Sequence, residues 1–210
     1  MKTMKYYAYR VIAIVALSLA FAIPSKAQMS DNYYANIDWQ FNFPLGIDFA
    51  DKASGWGMNF EGGYYIIPKM SLGLFVSYHT NNKYIGEQML RLSDTESLYT
   101  DQQHSIYQVP FGITSRWRFI EDRMFEPYIG VKLGAMYTRM ESDTQVYTYY
   151  QDRWGFNIQP EIGFSLFPMP VNRIGFHMAI YYSYATNKSH VLTYNINGYN
   201  NIGFRLGISF

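Results

Sequence analysis

Apolar residues alternate with polar or small ones along eight separate stretches of the chain. In the first, Ala35, Ile37, Trp39, Phe41 and Phe43 take one face, and Asn36, Asp38, Gln40 and Asn42 take the other. Period-two alternation puts successive side chains on opposite sides of an extended strand. The pattern returns over residues 56–66, 72–79, 107–119, 127–137, 156–166, 174–184 and 200–210. The last stretch sets Ile202, Phe204, Leu206, Ile208 and Phe210 against Asn201, Gly203, Arg205, Gly207 and Ser209. Short turns are expected at Pro68 and Lys69, at residues 121–123 and at residues 168–172. Residues 81–104, 141–152 and 187–198 are more polar, without convincing periodicity, and are expected to be loops.

The connections therefore alternate between long and short. A soluble sandwich has no reason to do this, whereas a membrane β-barrel has short turns at one rim and long loops at the other. Closure also removes sheet edges, which in lipid would leave backbone groups unpaired. An even strand number brings both termini to the short-turn side. The expected fold is all-β, an eight-stranded antiparallel up-and-down transmembrane β-barrel. Aromatics near the strand ends fit two interfacial girdles. Tyr33, Tyr34, Tyr64, Phe119, Phe125 and Phe167 stand at one level, and Trp56, Tyr78, Tyr137, Trp154 and Tyr184 at the other.

Mean hydropathy is slightly negative. That excludes a helical membrane protein but not a barrel, whose strands average apolar with polar residues. Lys2, Lys5 and Arg10 precede an apolar run from Val11 to Ala22, and small residues follow at Ser25 and Ala27. Residues 1–27 thus read as a cleaved secretory signal peptide, and residues 28–210 as the barrel domain. The run is short of the about twenty apolar residues that a spanning helix needs. Removing it takes four basic residues from the 17, leaving 13 against 16 acidic ones. That balance gives no support to nucleic-acid binding. With no cysteine, the chain offers neither a disulfide nor a lipidation site of the lipoprotein type.

A strand ending on Phe210, with apolar residues at every second position before it, resembles the closing strand of outer-membrane barrels. The phrases Pro127-Tyr128-Ile129-Gly130 and Pro160-Glu161-Ile162-Gly163 are similar to strand phrases of the small PorT-like barrels, related in architecture to OmpA and OmpW. The resemblance implies a Gram-negative outer membrane, periplasmic termini, and contact with membrane lipid and lipopolysaccharide. It also implies that Ile202, Phe204, Leu206, Ile208 and Phe210 are read by the barrel-assembly machinery. Unlike OmpA, no peptidoglycan-binding domain is expected after the barrel.

The inward faces carry the candidate site: Asp38, Glu61, Lys132, Glu161 and Arg205 near the middle of their strands, with Arg116 and Arg118 lower. An eight-stranded barrel is just wide enough for side chains to fill, and charges there must pair or bring water with them. Strand order suggests Arg205 with Asp38, and Lys132 with Glu161. The expected role is a scaffold with a filled lumen that binds a protein or glycan through its external loops. Tyr147, Tyr149, Tyr150, Tyr194 and Tyr199 are the candidate anchors. A narrow channel for small solutes is the alternative. An outer-leaflet lipid-modifying enzyme is a lesser one, resting on His79, His104 and Ser105 around one loop. No Gly-x-Ser-x-Gly elbow or metal-binding His spacing occurs, so neither catalytic residues, a metal nor a cofactor is expected. The acidic run with Asp94, Glu96 and Asp101 lacks the glycine and spacing of a calcium loop.

Overall fold

A computed structural model describes residues 32–91, 97–120, 124–144, 146–169 and 174–210. The expected signal peptide, the turn residues 121–123, residues 170–172 of the turn at 168–172, and both Asp94 and Glu96 lie outside the described residues. Eight strands run in chain order: β1 Tyr33–Leu45, β2 Gly57–Ile67, β3 Met70–Arg91, β4 Ser97–Arg118, β5 Phe125–Thr144, β6 Thr148–Met169, β7 Ile174–Val191 and β8 Tyr194–Ser209. Each pairs antiparallel with the next, and β8 returns to β1 to close the barrel. At the seam Trp39 stands opposite Leu206. Phe210 and Ala35 exchange both backbone hydrogen bonds there, at 2.8 and 3.1 Å.

The alternation seen in the sequence is the division between outside and inside. Along β7, exposed and buried residues alternate without a break from Ile174 to Val191. Ile37, Phe60, Leu74, Ile113, Ile129, Ile162 and Ile202 form part of an apolar outer surface, while Asn36, Asp38, Gln40 and Asn42 of β1 are buried inside. Two expected girdle residues are interior. Tyr34 shares inward parity with Asn36, and Phe167 shares it with Ser165, and both are buried. An aromatic at a strand end serves the girdle only when its parity points outward.

The expected long loops are mostly strand. β3 and β4 remain paired up to Arg91 and Ser97, β5 and β6 to Asp143 and Thr148, and β7 and β8 to Val191 and Tyr194. Residues 81–104, 141–152 and 187–198 are therefore mainly ladders of tall hairpins. Their apolar alternation fades because, above the lipid, the outer face no longer has to be apolar. The backbone hydrogen bonds continue regardless of side-chain type. The β1–β2 connection, residues 46–56, differs: a single bridge between Asn42 and Ser54 ties its base, and its middle folds over the barrel mouth.

This division can be tested on one strand. Leu74 and Met89 are equally exposed, at 68% each, but only Leu74 lies within the lipid-facing band. Leu74→Arg should cost about 2–4 kcal/mol near the bilayer midplane. Met89→Arg should stay within about 0.5 kcal/mol, as at an ordinary surface position. Urea titrations in lipid, read from the folded band on unheated denaturing gels, measure both.

Candidate functional site in the barrel lumen

The interior is filled in three tiers. The lowest is ionic and draws on five strands. Glu61 of β2 meets Arg116 of β4 at 2.8 Å and Lys132 of β5 at 2.7 Å. It also accepts hydrogen bonds from Tyr34 at 2.9 Å and Thr114 at 3.0 Å. Glu161 of β6 meets Lys132 at 2.7 Å and closely contacts Arg205 of β8. Lys132 thus bridges two carboxylates, and all five charged groups are buried. Aromatic rings line the guanidinium groups. Arg116 lies 4.4 Å from the Tyr34 ring centre and 4.2 Å from that of Tyr128, and Arg205 lies 4.1 Å from Tyr181. Such stacking stabilises a desolvated cation without competing for its hydrogen bonds.

Lys132 and Glu161 are partners, as expected, whereas Arg205 and Asp38 are not. The closing register puts Gln40 opposite Arg205 and Gly207 opposite Asp38. Arg205 donates to Gln40 at 3.0 Å and to Gln159 at 2.8 Å while reaching across the lumen to Glu161. Asp38 accepts instead from Asn59 at 2.8 Å and faces His177 Nδ1 at 2.6 Å. The other His177 nitrogen is 2.7 Å from the Tyr128 hydroxyl.

Glycines decide these pairings. Gly207 stands between Asp38 and His177 across three adjacent strands, and with no side chain of its own it lets them meet. Gly130 is likewise between Arg116 and Glu161, whose charged ends come within 3.7 Å. A further pair sits near the short-turn rim, where Arg118 contacts Glu126 at 3.1 Å, the Pro68 carbonyl and the Tyr65 ring. Among the described interior residues, the carboxylates Asp38, Glu61, Glu126 and Glu161 balance Arg116, Arg118, Lys132 and Arg205 when His177 is neutral. Sequence reasoning missed His177 and Glu126 as partners. Inward parity pointed to both, but the register was needed to connect them.

Above the ions lies a tier of carboxamides. Gln40 reaches His79 at 3.1 Å, Asn201 donates to Gln108 at 3.1 Å, Gln159 donates to Asn157 at 2.9 Å, and Asn42 donates to Asn81 at 2.7 Å. The Asn42 and Asn201 side-chain oxygens are buried and accept no hydrogen bond.

The top tier is apolar. Ile47, Phe49 and Ala50 of the β1–β2 connection pack against Ile106, Met136, Met140, Ala185, Val191, Ile196 and Tyr199 from the surrounding strands. The Phe49 ring stacks on His104 at 4.0 Å, nearly parallel, with Tyr194 edge-on to both. Burial beneath this lid pushes the His104 imidazole below its ordinary value. Lys83 pins the lid from outside, reaching Asp51 and the Asp48 carbonyl, each at 2.8 Å. His79 and His104 therefore do not flank a loop as expected. One lies in the carboxamide tier and the other beneath the lid. The expected anchors divide as well: Tyr147 and Tyr150 are exposed, Tyr149 packs partly against the apolar tier, and Tyr194 and Tyr199 belong to the mouth.

The sequence profile of the outer membrane protein β-barrel domain matches residues 13–210. No curated protein matches the sequence. In shape the chain is similar to the crystal structure of Neisserial surface protein A, at 14% identity and a TM-score of 0.51, covering 86% of this chain and 96% of that one. It is also similar to OprG of Pseudomonas aeruginosa, at 15% identity and a TM-score of 0.47, covering 85% and 94%. For outer membrane protein W of E. coli the values are 13% and 0.43, covering 88% and 99%. At such identities the likeness is one of fold, and the profile match is to the wide barrel family without singling out a PorT-like branch.

The ionic tier generates a double-mutant prediction. Removing one partner of a buried pair leaves an uncompensated charge, so Glu161→Ala or Arg205→Ala should each cost about 3–5 kcal/mol. Together they should cost less than the sum, because each removes the other's partner. Asp38→Ala combined with Arg205→Ala should be closer to additive than that pair, because the two meet only indirectly, through His177, Tyr128 and Glu161. Urea unfolding of the three single variants, the two double variants and the native protein checks both cycles.

Proposed function

Because the chain belongs to the outer membrane protein β-barrel family, and so to a Gram-negative outer membrane, we propose that it is a closed-lumen scaffold presenting its outer hairpins to a protein or glycan partner. The observation that carries this reading is the filling of the lumen. Paired ions, hydrogen-bonded carboxamides and an apolar lid succeed one another between the rims, and no wide aqueous path is needed to satisfy the charges. Opening a path would mean separating buried ion pairs in a region of low dielectric, which is costly. Binding is then left to the hairpins, since connecting segments on a rigid scaffold are where recognition usually resides. Tyr84, Tyr99, Tyr147 and Tyr150 are exposed there and supply rigid aromatic contact area.

In this reading residues 1–27 direct export and are removed, and both termini and the short turns face the periplasm. The outer hairpins meet lipopolysaccharide. The outward residues Ile202, Phe204, Leu206, Ile208 and Phe210 guide insertion, and Phe210 completes the seam through its bonds to Ala35. Deleting Phe210 should lower the folded yield in the outer membrane more than Asn201→Ala does. Membrane fractions run heated and unheated on the same gel measure this.

Conductance decides between scaffold and channel. The native protein should give little current in planar bilayers, and steady solute-selective current would favour the channel. Protease added to intact cells should cut in the β3–β4 hairpin and spare the β6–β7 turn. Cutting only at the β6–β7 turn would invert the proposed topology. Pull-down from crosslinked outer membranes then identifies the partner.

A further inference from the structure

The lid over the outer mouth is held differently from the tiers below it. Its core contacts are Ile47, Phe49 and Ala50, and the ring among them is Phe49, in one apolar cluster with Ile106, Met136, Met140, Val191, Ile196 and Tyr199 and stacked on His104. The segment that delivers Phe49 pairs with the barrel at a single bridge, Asn42 to Ser54. Its base is further tied by Trp39 Nε1 donating to the Gly55 carbonyl and Thr80 N–H donating to the Trp56 carbonyl. The part that carries Phe49 is held by the exposed Lys83 contacts and by hydrogen bonds from Asn81 to the Lys52 carbonyl and between His104 and the Phe49 carbonyl. Below, by contrast, every wall element is a strand bonded on both sides. A ring on a weakly tethered segment, filling an apolar seat in a rigid wall, is an occupant that another ring can replace.

The floor of the seat narrows the chemistry of such a replacement. Asn201 is the next inward residue of β8 below Tyr199. Asn42 lies opposite Gly203, the following inward position of β8, which has no side chain of its own and leaves its inward space to the Tyr181 hydroxyl. The Asn42 and Asn201 oxygens are both buried and accept nothing. Buried acceptors without donors favour a ligand carrying a hydroxyl or N–H, because leaving them unpaired costs stability. The charged groups beneath are already paired with one another, so nothing calls for a ligand charge, and a bare carboxylate or ammonium would be buried without a partner.

We propose that the outer mouth is a binding site for a small, uncharged aromatic molecule bearing a hydrogen-bond donor. Its ring takes the seat of Phe49 and its donor points towards Asn42 and Asn201. The β1–β2 segment is then a competing internal ligand. The apparent affinity for the outside molecule is reduced by the fraction of time the segment is docked. The site goes beyond the scaffold reading without contradicting it, since displacing Phe49 leaves the carboxamide and ionic tiers in place.

The test uses the full barrel in lipid nanodiscs with methionine methyl groups labelled for NMR. Met136 and Met140 report on the seat, while Met58 and Met178 face lipid and report partitioning into the bilayer. The probes are 4-methylphenol, toluene and 4-methylbenzoate. 4-Methylphenol should shift Met136 and Met140 saturably, with toluene weaker and 4-methylbenzoate without effect. Phe49→Ala removes the internal occupant, and Asp51→Asn unpins it while leaving the seat untouched. Each should tighten 4-methylphenol binding about tenfold. Asn42→Leu with Asn201→Leu should remove the preference over toluene. Folding of every variant is verified by its heat-dependent gel shift, and Asp51→Asn, at an exposed side chain, keeps the test open if Phe49→Ala fails to fold. The proposal is overturned if the seat methionines respond no more saturably than Met58 and Met178, if neither releasing variant binds more tightly than the native protein, or if toluene equals 4-methylphenol.

Discussion

The narrowness of an eight-stranded tube governs this protein. Closing the sheet satisfies every ladder and removes the edges that lipid cannot tolerate, but it leaves an interior only as wide as opposed side chains. Whatever points inward is desolvated, and a charge there persists only with a partner. The cluster of Glu61, Arg116, Lys132, Glu161 and Arg205 answers that constraint. Two carboxylates share three cations, and Tyr34, Tyr128, Tyr181, Gln40 and Gln159 take up remaining hydrogen-bonding or stacking capacity. Gly207 and Gly130 belong to the same solution. Where two long side chains must meet across a third strand, that strand gives up its own side chain.

The constraint relaxes towards the outer rim, and the composition follows it. Ions give way to carboxamides, and carboxamides to the apolar contacts around Phe49. The walls meanwhile rise beyond the lipid as paired strands, so the mouth is a rigid cup rather than a ring of loose loops. Among the described residues, only 46–56 enter that cup without strand pairing over most of their length. Stiffness in the wall and weak tethering in the lid are both needed for a recognition site that can change its occupant.

Much of this was visible in one dimension, for a simple reason. Lipid on one side and a packed lumen on the other impose period-two alternation, which a strand records directly in its residues. The stretch from Ile174 to Tyr184 was therefore readable position by position, and so were the inward Asp38, Glu61, Lys132, Glu161 and Arg205. The pairing of Lys132 with Glu161 followed from strand adjacency alone. Above the lipid that imprint is absent. Residues 81–104 read as a loop, although the backbone of residues 81–91 and 97–104 continues the β3–β4 ladder. Tyr34 and Phe167 read as girdle residues from their place near a strand end, although their parity turns them inward.

The sequence by itself thus determined the strand number, the inward and outward faces, and the alternation of the two rims. Each of these is set by local periodicity and by the placing of turns. Tertiary structure alone decided who meets whom inside. The closing register placed Gly207, and not Arg205, beside Asp38, which handed Asp38 to His177 and sent Arg205 across the lumen to Glu161. It also brought Phe49, from a segment with no periodic signature, onto His104 some fifty residues away. Register and lumen contacts depend on how eight strands stagger around a common axis, and no single stretch of chain carries that information.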